Sequence, residues 1–201
     1  MSDYLRDVSI MVVEDQEFTA SLLRKMLRVL GASNVHMFTN GEDAWHYFKH
    51  NSVDLVLTDW QMAPINGIQL TQLIRKDPES PNTFAPIIMV TAFREREHVF
   101  KARDAGVTEY VIKPLSPKGL FSRLEAVIER PRRFVRVGEF FGPDRRRHHG
   151  DFKGPDRRGH GAPPPKKLDA AAAAKAKKQE MQQDEINTTF NPDDVDRVKA
   201  N

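Results

Sequence analysis

Hydrophobic positions in the first 130 residues alternate between two periods. Short runs rich in β-branched residues fall at 8–13, 35–38, 53–58, 86–91 and 108–112. Between them lie stretches with helical spacing, at 18–30, 42–50, 68–76, 95–105 and 117–129. In the first of these, Leu22, Leu23, Met26, Leu27 and Leu30 share one helical face. Strands that alternate with helices of this length predict an α/β fold, a doubly wound five-stranded parallel sheet with helices on both faces. The first and third runs are almost continuously apolar, as central parallel strands must be. The pattern stops at Pro131, which ends the last helix.

Beyond that proline the chain changes character. Residues 131–161 hold eight arginines among Gly, Pro and His, with few apolar positions. The Pro163-Pro164-Pro165 run is a stiff spacer. An Ala/Lys/Gln stretch at 170–183 has helix propensity without an apolar stripe, and 187–201 is polar. The expected organisation is therefore a domain over 1–130, an arginine-rich segment over 131–161, and a low-complexity, partly helical tail over 162–201. The extension is expected to be largely disordered or ordered by a ligand.

Charge sharpens that division. Residues 1–130 carry 15 Lys+Arg against 17 Asp+Glu, 131–167 carry 11 against 4, and 168–201 carry 5 against 7. The excess positive charge thus sits in one short segment, and an anionic partner belongs there and not on the domain. The chain has no cysteine, no apolar run long enough to span a bilayer and no signal-peptide pattern. These features lead us to expect a cytoplasmic protein with no membrane partner.

In an open α/β sheet, chemistry gathers at the carboxyl ends of the strands. There the sequence places Glu14 and Asp15, then Asp59, Thr91 and Lys113. Clustered carboxylates call for a divalent cation, and oxygen donors beside a phosphoryl group suit Mg²⁺. With the charge neutralised, one carboxylate can attack phosphorus, while a lysine and a hydroxyl hold the remaining oxygens. The acidic pair, the Asp59-Trp60-x-Met62 turn, Thr91 and Lys113-Pro114 together resemble the CheY-like receiver domains of two-component signalling, over roughly 6–130. That resemblance implies a flavodoxin-like receiver fold in which Asp59 accepts the phosphoryl group. It implies that Glu14, Asp15, Asp59 and the Gln61 carbonyl hold Mg²⁺, that Thr91 and Tyr110 are switch residues, and that Lys113 pairs with the phosphoryl group before a cis Lys113–Pro114 bond. It also implies a histidine kinase or phosphotransfer protein as donor. One position departs from the family pattern, with Ala63 where proline is usual and Pro64 one place later.

The segment after the domain contains a repeat. Phe140-Phe141-Gly142-Pro143-Asp144-Arg145-Arg146 recurs 12 residues on as Phe152-Lys153-Gly154-Pro155-Asp156-Arg157-Arg158, with His148 and His160 at matching offsets. Arginine can grip guanine O6 and N7, stack on a base or pair with phosphate. Aspartate can accept from the other guanine edge, phenylalanine offers a packing or stacking face, and Gly-Pro sets a turn. Two units fit a two-fold ligand with two guanines and two phosphates. This arrangement is similar to the CheY-like cyclic di-GMP effectors with an arginine-rich extension. The similarity implies cyclic di-GMP contacts from Asp144, Arg145, Arg146, Asp156, Arg157 and Arg158, with Arg132, Arg133, Arg136 and Arg147 as further candidates, and a partner such as the flagellar motor switch. Two alternatives remain: a phosphorylation-only receiver with a tethering tail, and a tail that binds nucleic acid. Asp144 and Asp156 argue against the latter, since they repel a phosphate backbone. In every case the chain is expected to switch and not to turn over a substrate.

Overall fold

The computed structural model describes residues 5–144. It contains β1 (Ser9–Val13), α1 (Glu17–Val29), β2 (Asn34–Phe38), α2 (Gly41–His50), β3 (Leu55–Asp59), α3 (Gly67–Lys76), β4 (Ile87–Thr91), α4 (Arg96–Ala105), β5 (Glu109–Ile112) and α5 (Pro117–Glu129). The five strands form one all-parallel sheet in the order β2-β1-β3-β4-β5. Every residue of β1, β3 and β4 is buried, so these strands read as continuous apolar runs. The edge strand β2 is half-exposed.

Alternation along the strands divides the core into two layers. Ile10, Val12, Leu55, Leu57, Ile88 and Val90 face Leu23, Met26 and Leu27 of α1 and Leu120, Leu124 and Val127 of α5. Met11, Val13, Val56, Ile87 and Met89 face Ala44 and Phe48 of α2, Leu70 and Ile74 of α3 and Ala102 of α4. Helix ends follow local chemistry. Asn66 and Gln69 exchange side-chain and backbone hydrogen bonds at the start of α3. Ser116 accepts from the Gly119 amide and Pro117 opens α5. Gly106, at φ 103°, ends α4 in the left-handed conformation. Among the described residues, no helix is long and apolar enough to cross a membrane.

The start of the extension differs from expectation. A hairpin of β6 (Phe134–Val137) and β7 (Phe140–Pro143) follows α5, turning at Gly138, whose φ is 57°. It packs on the domain through Phe134 and Phe141, which are 3% and 5% exposed. Their rings lie 5.2 and 5.3 Å from that of Phe84 and 5.6 Å from each other. Beneath them Arg75 is fully buried. Its Nε donates to the Gly106 carbonyl at 3.0 Å and one terminal nitrogen donates to the Thr83 carbonyl at 2.9 Å. Its guanidinium carbon sits 5.0 Å from the centre of the Phe134 ring. Hence the packed body runs to residue 144, with the hairpin burying the Phe84 aromatic face and roofing the Arg75 guanidinium. The rest of the repeat and the tail, 145–201, lie outside the described residues.

Phe134→Ala should lower the unfolding free energy by about 3 kcal/mol, the cost of emptying an aromatic core position. Urea unfolding of the full chain checks this, and a loss below about 0.5 kcal/mol, typical of a surface site, would detach the hairpin from the core.

Candidate functional site

The strands deliver their last residues to one edge. Glu14 follows β1 directly, with its amide donating to the Phe38 carbonyl at 2.9 Å. Asp59 and Thr91 are the final residues of β3 and β4. Lys113 follows β5, and its amide donates to the Thr91 carbonyl at 2.8 Å. The Lys113–Pro114 bond is cis, as the family resemblance implied, and so is Ala63–Pro64 in the loop that departs from the family pattern. That loop returns tightly under β3. A Cβ on Gly67 would stand 2.0 Å from the Asp59 carbonyl oxygen, so only glycine allows α3 to start there.

At the centre, the Lys113 ammonium lies across two buried carboxylates. Its Nζ is 3.0 Å from Glu14 Oε1 and 2.9 Å from Asp59 Oδ2. Asp59 Oδ1 accepts from the Trp60 amide at 2.5 Å. Burial pushes Glu14 above the usual carboxylate range and the Asp59 charge adds to it, while the Lys113 hydrogen bond only partly offsets them. For Lys113, burial disfavours the charge, yet hydrogen bonds to Glu14 and Asp59 outweigh it and raise the ammonium above its ordinary value.

These donors fit a hard divalent cation. Glu14, Asp15 and Asp59 each offer a carboxylate oxygen, all within 4.8 Å of one another, with Asp15 exposed to the opening. Glu14 Oε2 is buried and has Lys113 Nζ at 2.9 Å without hydrogen-bond geometry, so it retains acceptor capacity. An all-oxygen set open to solvent on one side suits Mg²⁺. Gln61, whose carbonyl was expected to complete the set, follows two residues after Asp59 and is exposed.

Next to the acidic edge runs a second network. Thr91 is buried, and its hydroxyl accepts from the Phe93 amide at 3.3 Å. The Tyr110 hydroxyl donates to the Phe93 carbonyl at 3.0 Å. Burial, with the charges of Glu95 and Asp59, pushes the Tyr110 phenol up to about 12. The Phe93 ring stacks flat on His98 of α4, with centroids 4.1 Å apart and planes 5° from parallel. Trp60 meets both edge-on, at 5.5 and 5.1 Å. Phe93 and His98 were not singled out in the sequence. Their only signal was proximity to Thr91 and to the start of α4.

Among the arginines, the structure reaches three. Arg132 pairs with Glu109 on β5, which also binds Arg123 at 3.2 Å. The Arg133 carbonyl accepts from the Asp144 amide at 2.7 Å, and Arg136 lies 4.8 Å over the Phe141 ring. Arg145, Arg146, Arg147, Asp156, Arg157 and Arg158 lie outside the described residues.

Residues 10–125 match the response regulator receiver domain. The chain is 33% identical over 125 residues to chemotaxis protein CheY-3 of Vibrio cholerae, an alignment covering 62% of this chain and 95% of that protein. It is 31% identical over 123 residues to chemotaxis protein CheY of Pseudomonas aeruginosa, covering 61% and 98%. The receiver domain of a sensor histidine kinase from P. aeruginosa was solved with magnesium coordinated in its active site cleft. It superposes with a TM-score of 0.54 at 26% identity, over 60% of this chain and 96% of that one.

Lys113→Ala should lower stability at neutral pH by about 3 kcal/mol, because two buried carboxylates lose their counter-charge. A lysine raised in the folded state contributes fully below its ordinary value of 10.5, and loses that contribution as pH rises through the higher folded value. Urea unfolding of wild type and variant should therefore show a gap that persists at neutral pH and closes in strong alkali. A pH-independent gap would contradict this origin. Of the three tyrosines, one should ionise late, near 12, in an ultraviolet titration, and Tyr110→Phe should remove that step.

Proposed function

The chain belongs to the response regulator receiver domain family, and from that premise we propose that it joins two inputs, phosphorylation at Asp59 and cyclic di-GMP bound by its arginine-rich segment. A histidine kinase or phosphotransfer protein supplies the phosphoryl group. An Asp59 carboxylate oxygen forms a bond to phosphorus as the bond from phosphorus to the donor imidazole nitrogen breaks, and the imidazole leaves with the electron pair. Glu14, Asp15, Asp59 and the Gln61 carbonyl would hold Mg²⁺, which would neutralise charge on the phosphoryl oxygens. Lys113, already between Glu14 and Asp59, would pair with those oxygens, and Thr91 stands on the neighbouring strand end. The chain acts as a switch and not as a turnover enzyme.

The observation that carries the phosphorylation reading is the joint placement of Lys113, Glu14 and Asp59 at the strand ends. What supports the second input is the duplicated Phe-x-Gly-Pro-Asp-Arg-Arg unit, whose first copy begins within the packed hairpin. Each copy brings a carboxylate for the guanine edge and two guanidinium forks for guanine O6/N7 or phosphate. Output in chemotaxis signalling is supported by two relatives, both chemotaxis proteins, and a motor switch protein is the partner we propose for it.

Calorimetric titration of the full chain with cyclic di-GMP at physiological salt tests the ligand, with GTP and a short RNA as controls. Binding of cyclic di-GMP alone is expected. Arg146→Ala with Arg158→Ala should weaken it at least 100-fold while leaving Asp59 phosphorylation by acetyl phosphate intact. Absence of binding by the unaltered chain would remove the second messenger and leave a phosphorylation-only receiver.

A further inference from the structure

The two copies of the repeat are alike in their Asp-Arg-Arg chemistry and unlike in what precedes it. In the first copy, Phe141 is buried against Phe84, and Gly142 lies against Gly106, the residue that caps α4. A Cβ on Gly142 would stand 2.9 Å from the Gly106 Cα, and one on Gly106 would stand 3.1 Å from the Phe141 carbonyl oxygen. Two glycines face each other because two backbones touch. In the second copy the glycine is kept as Gly154, but the residue aligned with Phe141 is Lys153. An ammonium in place of Phe141 would be buried close to Arg75, which is already enclosed and has one terminal nitrogen without a hydrogen-bond partner. Two like charges in that space are strongly disfavoured.

The dock is also the far end of the helix that the phosphorylation site touches. At its start, α4 carries His98, stacked on Phe93, whose amide and carbonyl are held by Thr91 and Tyr110. At its end, Gly106 meets β7 and takes the Arg75 hydrogen bond. A second route runs through β5, where Glu109, adjacent to Tyr110, pairs with Arg132 before the hairpin. Between these two routes, α4, β5 and the hairpin line a half-open cleft of about 160 Å³, with Val99, Arg103, Tyr110, Arg132 and Pro143 among its walls.

We propose that the first copy of the repeat is specialised to dock on the receiver while the second is not, and that this dock couples the state of Asp59 to the arginine segment through the end of α4. The element with two arrangements is the hairpin, docked on Arg75 and Phe84 or released from them. Its release moves the start of Asp144-Arg145-Arg146 relative to the domain. The ligand half of this proposal rests on the cyclic di-GMP reading above; the docking half does not.

Hydrogen exchange of residues 134–144 in the full chain, with and without Mg²⁺ and beryllium fluoride as a phosphoryl mimic, reads the dock directly. The mimic should speed exchange of these amides at least tenfold, and Asp59→Asn should abolish the response. Phe141→Lys, which gives the first copy the second copy's residue, should exchange fast without the mimic and respond no further. Gly142→Ala should do the same through the backbone contact if the lysine variant fails to fold. Hairpin exchange that is unchanged by the mimic, or equally protected in the released variants, overturns the proposal whatever cyclic di-GMP does. Where cyclic di-GMP binds, the mimic must change its affinity by the same factor by which the ligand changes affinity for the mimic, and Phe141→Lys must erase that factor. Binding with no such factor overturns the coupling alone. No binding at all, alongside a hairpin that answers the mimic, defeats the ligand reading and sustains the dock.

Discussion

Two carboxylates and one ammonium, all withdrawn from water at the ends of parallel strands, set the terms for the rest of the molecule. Glu14 and Asp59 offer carboxylate oxygens within 4.8 Å of one another, where their charges repel. Lys113 offsets part of that repulsion, at 2.9–3.0 Å from both, and it can only do so if β1, β3 and β5 present their ends in register. The sheet order provides that alignment, with β1 and β3 adjacent and β4 between β3 and β5. The absence of a side chain on Gly67 serves the same end, since it lets α3 begin directly against the Asp59 backbone. Two carboxylates against one ammonium leave the site net negative, and Asp15 adds to that charge. Any added phosphoryl group brings negative charge that has to be met by a cation and by the same lysine.

Around this centre the structure is graded from rigid to adjustable. The central strands and the two apolar layers have no room for rearrangement. The Phe93, His98 and Trp60 rings form a different kind of packing, with Phe93 flat on His98 and Trp60 edge-on to both, between the acidic edge and the start of α4. Tyr110 belongs to both regions, with a buried ring base and a hydroxyl that holds the Phe93 carbonyl.

How far the sequence disclosed this depends on the scale of the signal. Period-two and helical spacings placed all ten elements of the main domain within two residues of their ends, because each element buries a stripe wide enough to leave a pattern. The acidic edge was legible for a related reason: strand ends are predictable once strands are, and Glu14, Asp15, Asp59, Thr91 and Lys113 all occupy them. The hairpin was missed. Its alternating Phe134, Arg136 and its turn at Gly138 were present, yet eight arginines nearby made the whole segment read as solvated. What the sequence could not show was the receptor for it. Arg75 looks like an ordinary basic residue in the last turn of a helix, and Phe84 like a loop aromatic; only the fold puts them side by side with Phe134 and Phe141. The stack of Phe93 on His98 was hidden likewise, since neither residue belongs to a repeating pattern.

Arg75 has a consequence for how such a chain can be recombined. A guanidinium with no carboxylate partner among the described residues, held by two carbonyls and roofed by an aromatic ring, has that roof only while the hairpin is docked. A receiver cut at the end of α5 inherits an exposed aromatic ring and an uncovered cationic pit, and a foreign receiver given this extension lacks the seat for it. The natural seam of the protein therefore lies after Asp144. Modules that exchange partners over evolutionary time would be expected to break and rejoin there, with the hairpin inherited alongside α3 and α4 and the arginine segment free to travel.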